Sequence, residues 1–267
     1  MLGKLIKYDL KALSRFVLPL FAVLIGSSIA LRICVEIFRF DGAGQNIIAS
    51  ILVFVIAFVY VISLLGCGFA VYIMIALNYH KSLMSDRGYF YLTLPVTHDM
   101  HLISKLLAGA AVIILSALAF VVSFLPLFVG NIALPDVLKF ISDGWELIRT
   151  YMLAKNGVLI IILTVFVALF GSQIVIFFCI TLGQLLPNHR ILGAFLAFIG
   201  HLILSRTISS IFASIGFKNS LINIYDMDIL AETLSSVLLT TIIYYVVIYA
   251  IEYVVTRLVL KYKLNIE

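Results

Sequence analysis

The sequence predicts an all-α polytopic membrane protein. It has six transmembrane helices, an amphipathic interfacial helix at the N-terminus, and a short helix in the loop between spans two and three. Three observations carry this reading. Hydrophobic residues fill 64% of the 267 positions and charged residues only 12%, with a mean hydropathy of +1.21. An ordinary soluble domain is about 25% charged. Asp, Glu, Lys and Arg are missing from Gly42 to His80 and again from Leu106 to Pro135, and each run exceeds the roughly 20 residues that cross a hydrocarbon core. Between these two runs lies a long polar interval, Tyr79 to Lys105.

Taken in order, residues 1–15 (MLGKLIKYDLKALSR) come first. At 100° per residue, Lys4, Lys7, Lys11 and Arg15 share an arc of about 80°, with Leu2, Leu5, Ile6, Leu10 and Leu13 on the opposite side. The pattern fits a helix in the inner membrane face with its bases toward anionic headgroups. A solvated helix on the same side is the alternative. Basic residues ahead of an apolar run invite comparison with a signal peptide. The basic region is long for one, however, and Ser28-Ile29-Ala30 is a poor cleavage site, so a retained anchor is expected.

The first span is expected at 16–38, where Arg32 and Glu36, four apart, can pair on one helix face. The second, 47–78, would measure about 48 Å as one helix. That exceeds a core of about 30 Å, so it must tilt, break or project beyond the membrane. The third covers 102–130, with Pro126 as kink or terminator. Residues 131–156 then show apolar spacings of three and four, which indicates an amphipathic helix with Trp145 at the water–lipid boundary. The fourth span, 157–186, ends at Pro187-Asn188-His189-Arg190. In the fifth, 191–213, His201 and Arg206 interrupt a stretch also rich in Ser and Thr. A break or re-entrant turn is expected there, tolerable only where protein or water covers the backbone. The sixth, 233–256, bears Glu252 near its inner end. The whole chain, 1–267, reads as one transmembrane domain.

Six spans place both termini on one side. Eleven of the 18 Lys and Arg residues fall in the segments assigned to the inner side. The positive-inside rule then puts the termini and the 79–105 loop in the cytoplasm. The net charge of +5 is spread between apolar runs and forms no patch for nucleic acid.

No motif for intrinsic catalysis occurs. H-E-x-x-H, G-x-S-x-G and a Cys/His cluster with zinc spacing are all missing, as is the phosphate-cradling G-x-x-x-x-G-K-[ST]. No catalytic residue, metal site or bound cofactor is therefore expected in this chain, and any ATP-dependent work would need a second polypeptide. Cys34, Cys67 and Cys179 lie in apolar stretches and read as small core residues. Within the polar interval, Ser85 or Asp86 can cap a short helix through Tyr91, Pro95 stops its continuation, and Thr97 can cap the third span. The cluster Tyr89, Phe90, Tyr91, Leu92 and Leu94 reads as a docking surface for a soluble partner. The competing reading is an interfacial loop whose aromatic rings sit among headgroups.

The opening LIKYDLKA, the segment YFYLTLPVTHDMHLISKLLAG, the six-span layout and the closing TRLVLKYKLNIE resemble type-2 ABC exporter permeases of Gram-positive bacteria. Leu92-Thr93-Leu94-Pro95-Val96-Thr97 followed by Ser104-Lys105 is the most specific part. The resemblance implies a permease subunit in the bacterial cytoplasmic membrane, paired with a second permease, identical or related, and in contact with membrane lipids. Two separate ABC ATPase subunits, which would bind the ATP and Mg, would dock on the loop between spans two and three. The coupling helix would comprise Asp86, Arg87, Gly88, Tyr89, Phe90 and Leu92, with the apolar members filling a groove on the ATPase and Arg87 fixing orientation. Relatives of this type export peptides (antimicrobial ones included), drugs or lipids. Arg206 and Glu252 are pathway or gating candidates because charges within a membrane are costly; pairing inside the bundle is the alternative for both. Two further function classes stay open: an ion-coupled secondary transporter, and a non-transport immunity or scaffold protein.

Overall fold

A computed structural model describes residues 2–40, 47–84, 96–128, 139, 142–146, 149, 157–186, 189–218 and 227–262. Almost all of them are helical and none forms a strand. Helix α1 spans Leu2–Phe40, α2 Ile47–Tyr79, α3 His98–Phe128, α4 Gly157–Phe166, α5 Ser172–Gly183, α6 Arg190–Lys218 and α7 Met227–Tyr262. Two π-type turns widen the backbone, at His80–Met84 directly after α2 and at Val167–Gly171 between α4 and α5. With that second turn included, α4 and α5 form one 27-residue apolar rod, Gly157–Gly183. Among the described residues six helical segments are thus long and apolar enough to cross a membrane, and the protein is a multi-pass, all-α membrane protein.

Two compact units make up the chain: Met1–Asn78 with Leu107–Leu138, and Tyr79–Leu106 with Lys139–Glu267. In the first unit, the buried residues of α1 are Asp9, Leu13, Val17, Phe21, Leu24, Ser28 and Leu31. Steps of three and four place them on one stripe. Ser27 and Ser63 hydroxyls meet at 2.9 Å between α1 and α2, and Tyr60 Oη lies 3.2 Å from Ser123 Oγ between α2 and α3. The opposite face of α2 exposes Phe54, Phe58, Leu65 and Phe69. Hydroxyls inside and large apolar side chains outside is the arrangement suited to lipid, where interhelical hydrogen bonds and packing replace the hydrophobic effect.

The expected separate interfacial helix is instead continuous with the first span: α1 is one helix of 39 residues. Its four bases are exposed as the periodicity predicts. Nothing between Lys4 and Leu18 breaks a helix, and Pro19 removes a single backbone bond without ending it. The first turns therefore belong to a helix about 58 Å long.

In the second unit α5, α6 and α7 pack on one another. α5 and α6 form a tight hairpin in which Gly183 and Gly193 face each other. The predicted break in the fifth span is not there, since α6 runs unbroken from Arg190 to Lys218. Four of its hydroxyls are satisfied locally: Ser205, Thr207, Ser210 and Ser214 each donate to a carbonyl three or four residues back. Such back-bonding lets hydroxyls ride inside an apolar helix. Of the amphipathic helix expected at 131–156, the described residues 142–146 are helical, with Trp145 exposed.

Candidate functional site

The residues proposed for partner docking, Asp86, Arg87, Gly88, Tyr89, Phe90 and Leu92, lie outside the described residues. Both flanks of that interval are described, and both are anchored in the second unit. On the near side, Tyr79 is fully buried. Its hydroxyl lies 2.7 Å from Thr181 Oγ1, and its ring stacks on Phe177 with centroids 4.1 Å apart and planes 10° from parallel. Thr181 in turn donates to the Phe177 carbonyl at 2.7 Å, so one turn of α5 grips the end of α2. The π-type turn follows, with Ser82, Leu83 and Met84 buried. Such turns are frequent at functional sites because they re-aim side chains without ending the helix.

On the far side Thr97 caps α3 as its sequence position predicts. Thr97 Oγ1 accepts from the Met100 N–H at 3.4 Å, and the Thr97 carbonyl accepts the same N–H at 3.0 Å. Asp99, in the first turn of α3, accepts from Arg257 of α7 at 2.7 Å. An acidic side chain is also favoured there by the helix dipole. His101, Leu102, Ser104 and Lys105 are then buried. The polar interval is thus tied to α5 at one end and to α7 at the other.

A second polar constellation joins α6 to α7. His201 Nδ1 lies 2.6 Å from Glu252 Oε1, and their side chains are only 10% and 8% exposed. The Glu252 carbonyl accepts from Thr256 Oγ1 at 2.7 Å. Glu252 Oε2 is buried without a hydrogen-bond partner. Glu252 lies five residues before Arg257 in α7, which runs on to Tyr262, and His201 lies eleven residues into α6.

The two gating candidates therefore part company. Glu252 is buried and paired with His201, whereas Arg206 is exposed. The sequence marks His201 only as an interruption in an apolar helix. A lone His and a lone Glu, each inside its own apolar run, were the available signal for a pair. Arg32 and Glu36 do pair along α1, as their spacing predicts. Among the described residues no three His, Cys, Asp or Glu side chains converge as metal ligands. No protein-family model, curated protein or solved structure matches this chain.

Proposed function

We propose that this chain is the membrane-spanning subunit of an ATP-driven exporter of amphipathic or hydrophobic compounds, working in the bacterial cytoplasmic membrane with both termini inside. The observation that carries the reading is the double anchoring of the polar interval. A docking helix at 86–92 would be pinned to α5 through Tyr79 and to α7 through the Asp99–Arg257 bridge. Displacement by a partner would then move two membrane helices together. The resemblance to type-2 ABC exporter permeases supports the same assignment, as does the missing phosphate-binding motif. Nucleotide hydrolysis would belong to separate ATPase subunits holding ATP and Mg, and a second permease, identical or related, would complete the pathway.

Affinity purification from native membranes, followed by mass spectrometry, tests this. A stoichiometric ABC ATPase is expected, and replacing Phe90 with Asp should abolish its capture or uncouple hydrolysis from transport. Capture and coupled activity unchanged in that variant would remove the docking role. Purification without any ATPase would remove the exporter assignment. An ion-coupled transporter is the second reading, and one observation favours it: a buried His–Glu pair between two membrane helices, a type of group found in proton relays of membrane transporters.

A further inference from the structure

We propose that His201 and Glu252 form a buried proton-binding site between α6 and α7, which holds a proton while the two helices are packed together and releases it when water reaches the pair. The assignment is independent of any ATPase partner.

The geometry leaves little room for a fully ionised carboxylate. An ionised carboxylate shares its charge between two oxygens, and both then call for donors or a cation. Glu252 Oε1 has His201 Nδ1 at 2.6 Å, but Oε2 is buried and bare. Leaving a charged oxygen unsatisfied in an apolar interior costs more than leaving a neutral carbonyl so. A protonated Glu252 resolves this. Its hydroxyl at Oε1 donates to the neutral imidazole, and Oε2 becomes a plain carbonyl oxygen. The pair then carries no net charge among apolar membrane helices, where an isolated ion is costly. Release is a simple transfer: the carboxyl proton passes to water, leaving a carboxylate and a neutral imidazole, and rebinding reverses the step. Nothing else is consumed.

Among the helices packed on the pair, α4 and α5 offer no substitute counter-charge. α4 and the wide turn after it carry no titratable side chain. α5 contributes Cys179, and α7 contributes Tyr244 and Tyr249, with Tyr245 stacked on Tyr249. All of these are neutral in their ordinary state. Arg206 of α6 is exposed, and Arg257 is engaged by Asp99. A proton is also the one cation that needs no cavity beside the orphaned oxygen.

The test is pH-difference infrared spectroscopy on the full-length chain in phosphatidylethanolamine–phosphatidylglycerol nanodiscs, with glutamate carbon-13 labelled to assign the band. The expected result is a protonated-carboxyl stretch that is present at neutral pH, shifts with the label and disappears as the pH is raised. It should be lost in Glu252→Gln and change its midpoint in His201→Gln. Two results would overturn the proposal: a wild-type protein with no protonated glutamate carboxyl band at neutral pH, or the same band surviving in Glu252→Gln. Should Glu252→Gln fail to fold, Glu252→Asp, which keeps the acid, should retain a band that no longer shifts with the glutamate label, and a shift that persists would equally overturn it.

Discussion

Replacing Gly183 with Ala is the sharpest probe of how the second unit is built. Gly183 ends α5 in ordinary helical backbone, so its demand is for space alone. A methyl placed there would lie 2.6 Å from the Arg190 carbonyl oxygen, 2.7 Å from the Ala194 nitrogen and 2.9 Å from the Ala194 Cβ. Carbon atoms prefer about 3.5–4.0 Å, so α5 and α6 must separate by more than roughly half an ångström. Two of the three atoms are backbone and cannot swing aside. Overpacking of this kind costs about 1–3 kcal/mol, and rigid backbone neighbours argue for the upper end. Ala returns about 1 kcal/mol of helix propensity, which leaves a net loss of about 2 kcal/mol. Gly66→Ala is the matched control, because nothing lies within 4 Å of its added methyl. It should gain up to about 1 kcal/mol. The difference of about 3 kcal/mol corresponds to a gap of about 6–12 °C in melting temperature. Thermal unfolding of both variants in one detergent, followed by circular dichroism, measures it. A Gly183→Ala protein that melts with or above Gly66→Ala would refute the close α5–α6 contact.

Two further substitutions test the anchors of the polar interval. Tyr79→Phe removes only the hydroxyl bonded to Thr181, and Thr181 still donates to Phe177. It should cost about 0.6 kcal/mol, the average for such bonds in a membrane protein. Tyr79→Ala also empties the space of a fully buried ring, at about 3 kcal/mol, and equal melting of the two variants would show that the ring is not packed. Arg257→Gln breaks a bridge whose partners are 52% and 33% exposed, so water screens it. The loss should be at most about 1 kcal/mol and should shrink in high salt; a larger loss that salt leaves untouched would mean the bridge is effectively buried.

Much of the architecture was legible because hydropathy is a property of the chain read in one dimension. The charge-free runs give the second and third spans directly, and the described part of each run lies almost wholly in α2 or α3. Thr97 caps α3 for reasons stated in three consecutive letters, and the stripe of bases on α1 follows from spacing alone. What escaped was whatever depends on rotation or on partners far away in sequence. The polar half of the fifth span read as a break, because Ser and Thr look the same in sequence whether they face water or bond to their own helix. His201 and Glu252 are separated by 51 positions. Nothing in either local pattern says that α6 and α7 turn those two faces toward each other.

The same contrast explains why the His201–Glu252 pair stands apart from the other polar groups in these helices. Ser27, Ser28, Ser116, Ser123, Thr164, Thr181 and Thr207 each donate to a carbonyl one turn back. Those hydroxyls are neutral and cost little, and sequence drift could replace any of them with Ala or Val at small loss. A buried acid in a membrane helix has no such local remedy. Its backbone carbonyls are acceptors, and a carboxylate has no hydrogen to give them. Glu252 must therefore be held by another helix, neutralised by a proton, or both. Supplying a ring nitrogen from α6 makes both possible at once, and makes the α6–α7 contact sensitive to the charge it carries. If packing were the sole purpose, an apolar pair of equal volume would hold α6 against α7 at least as well.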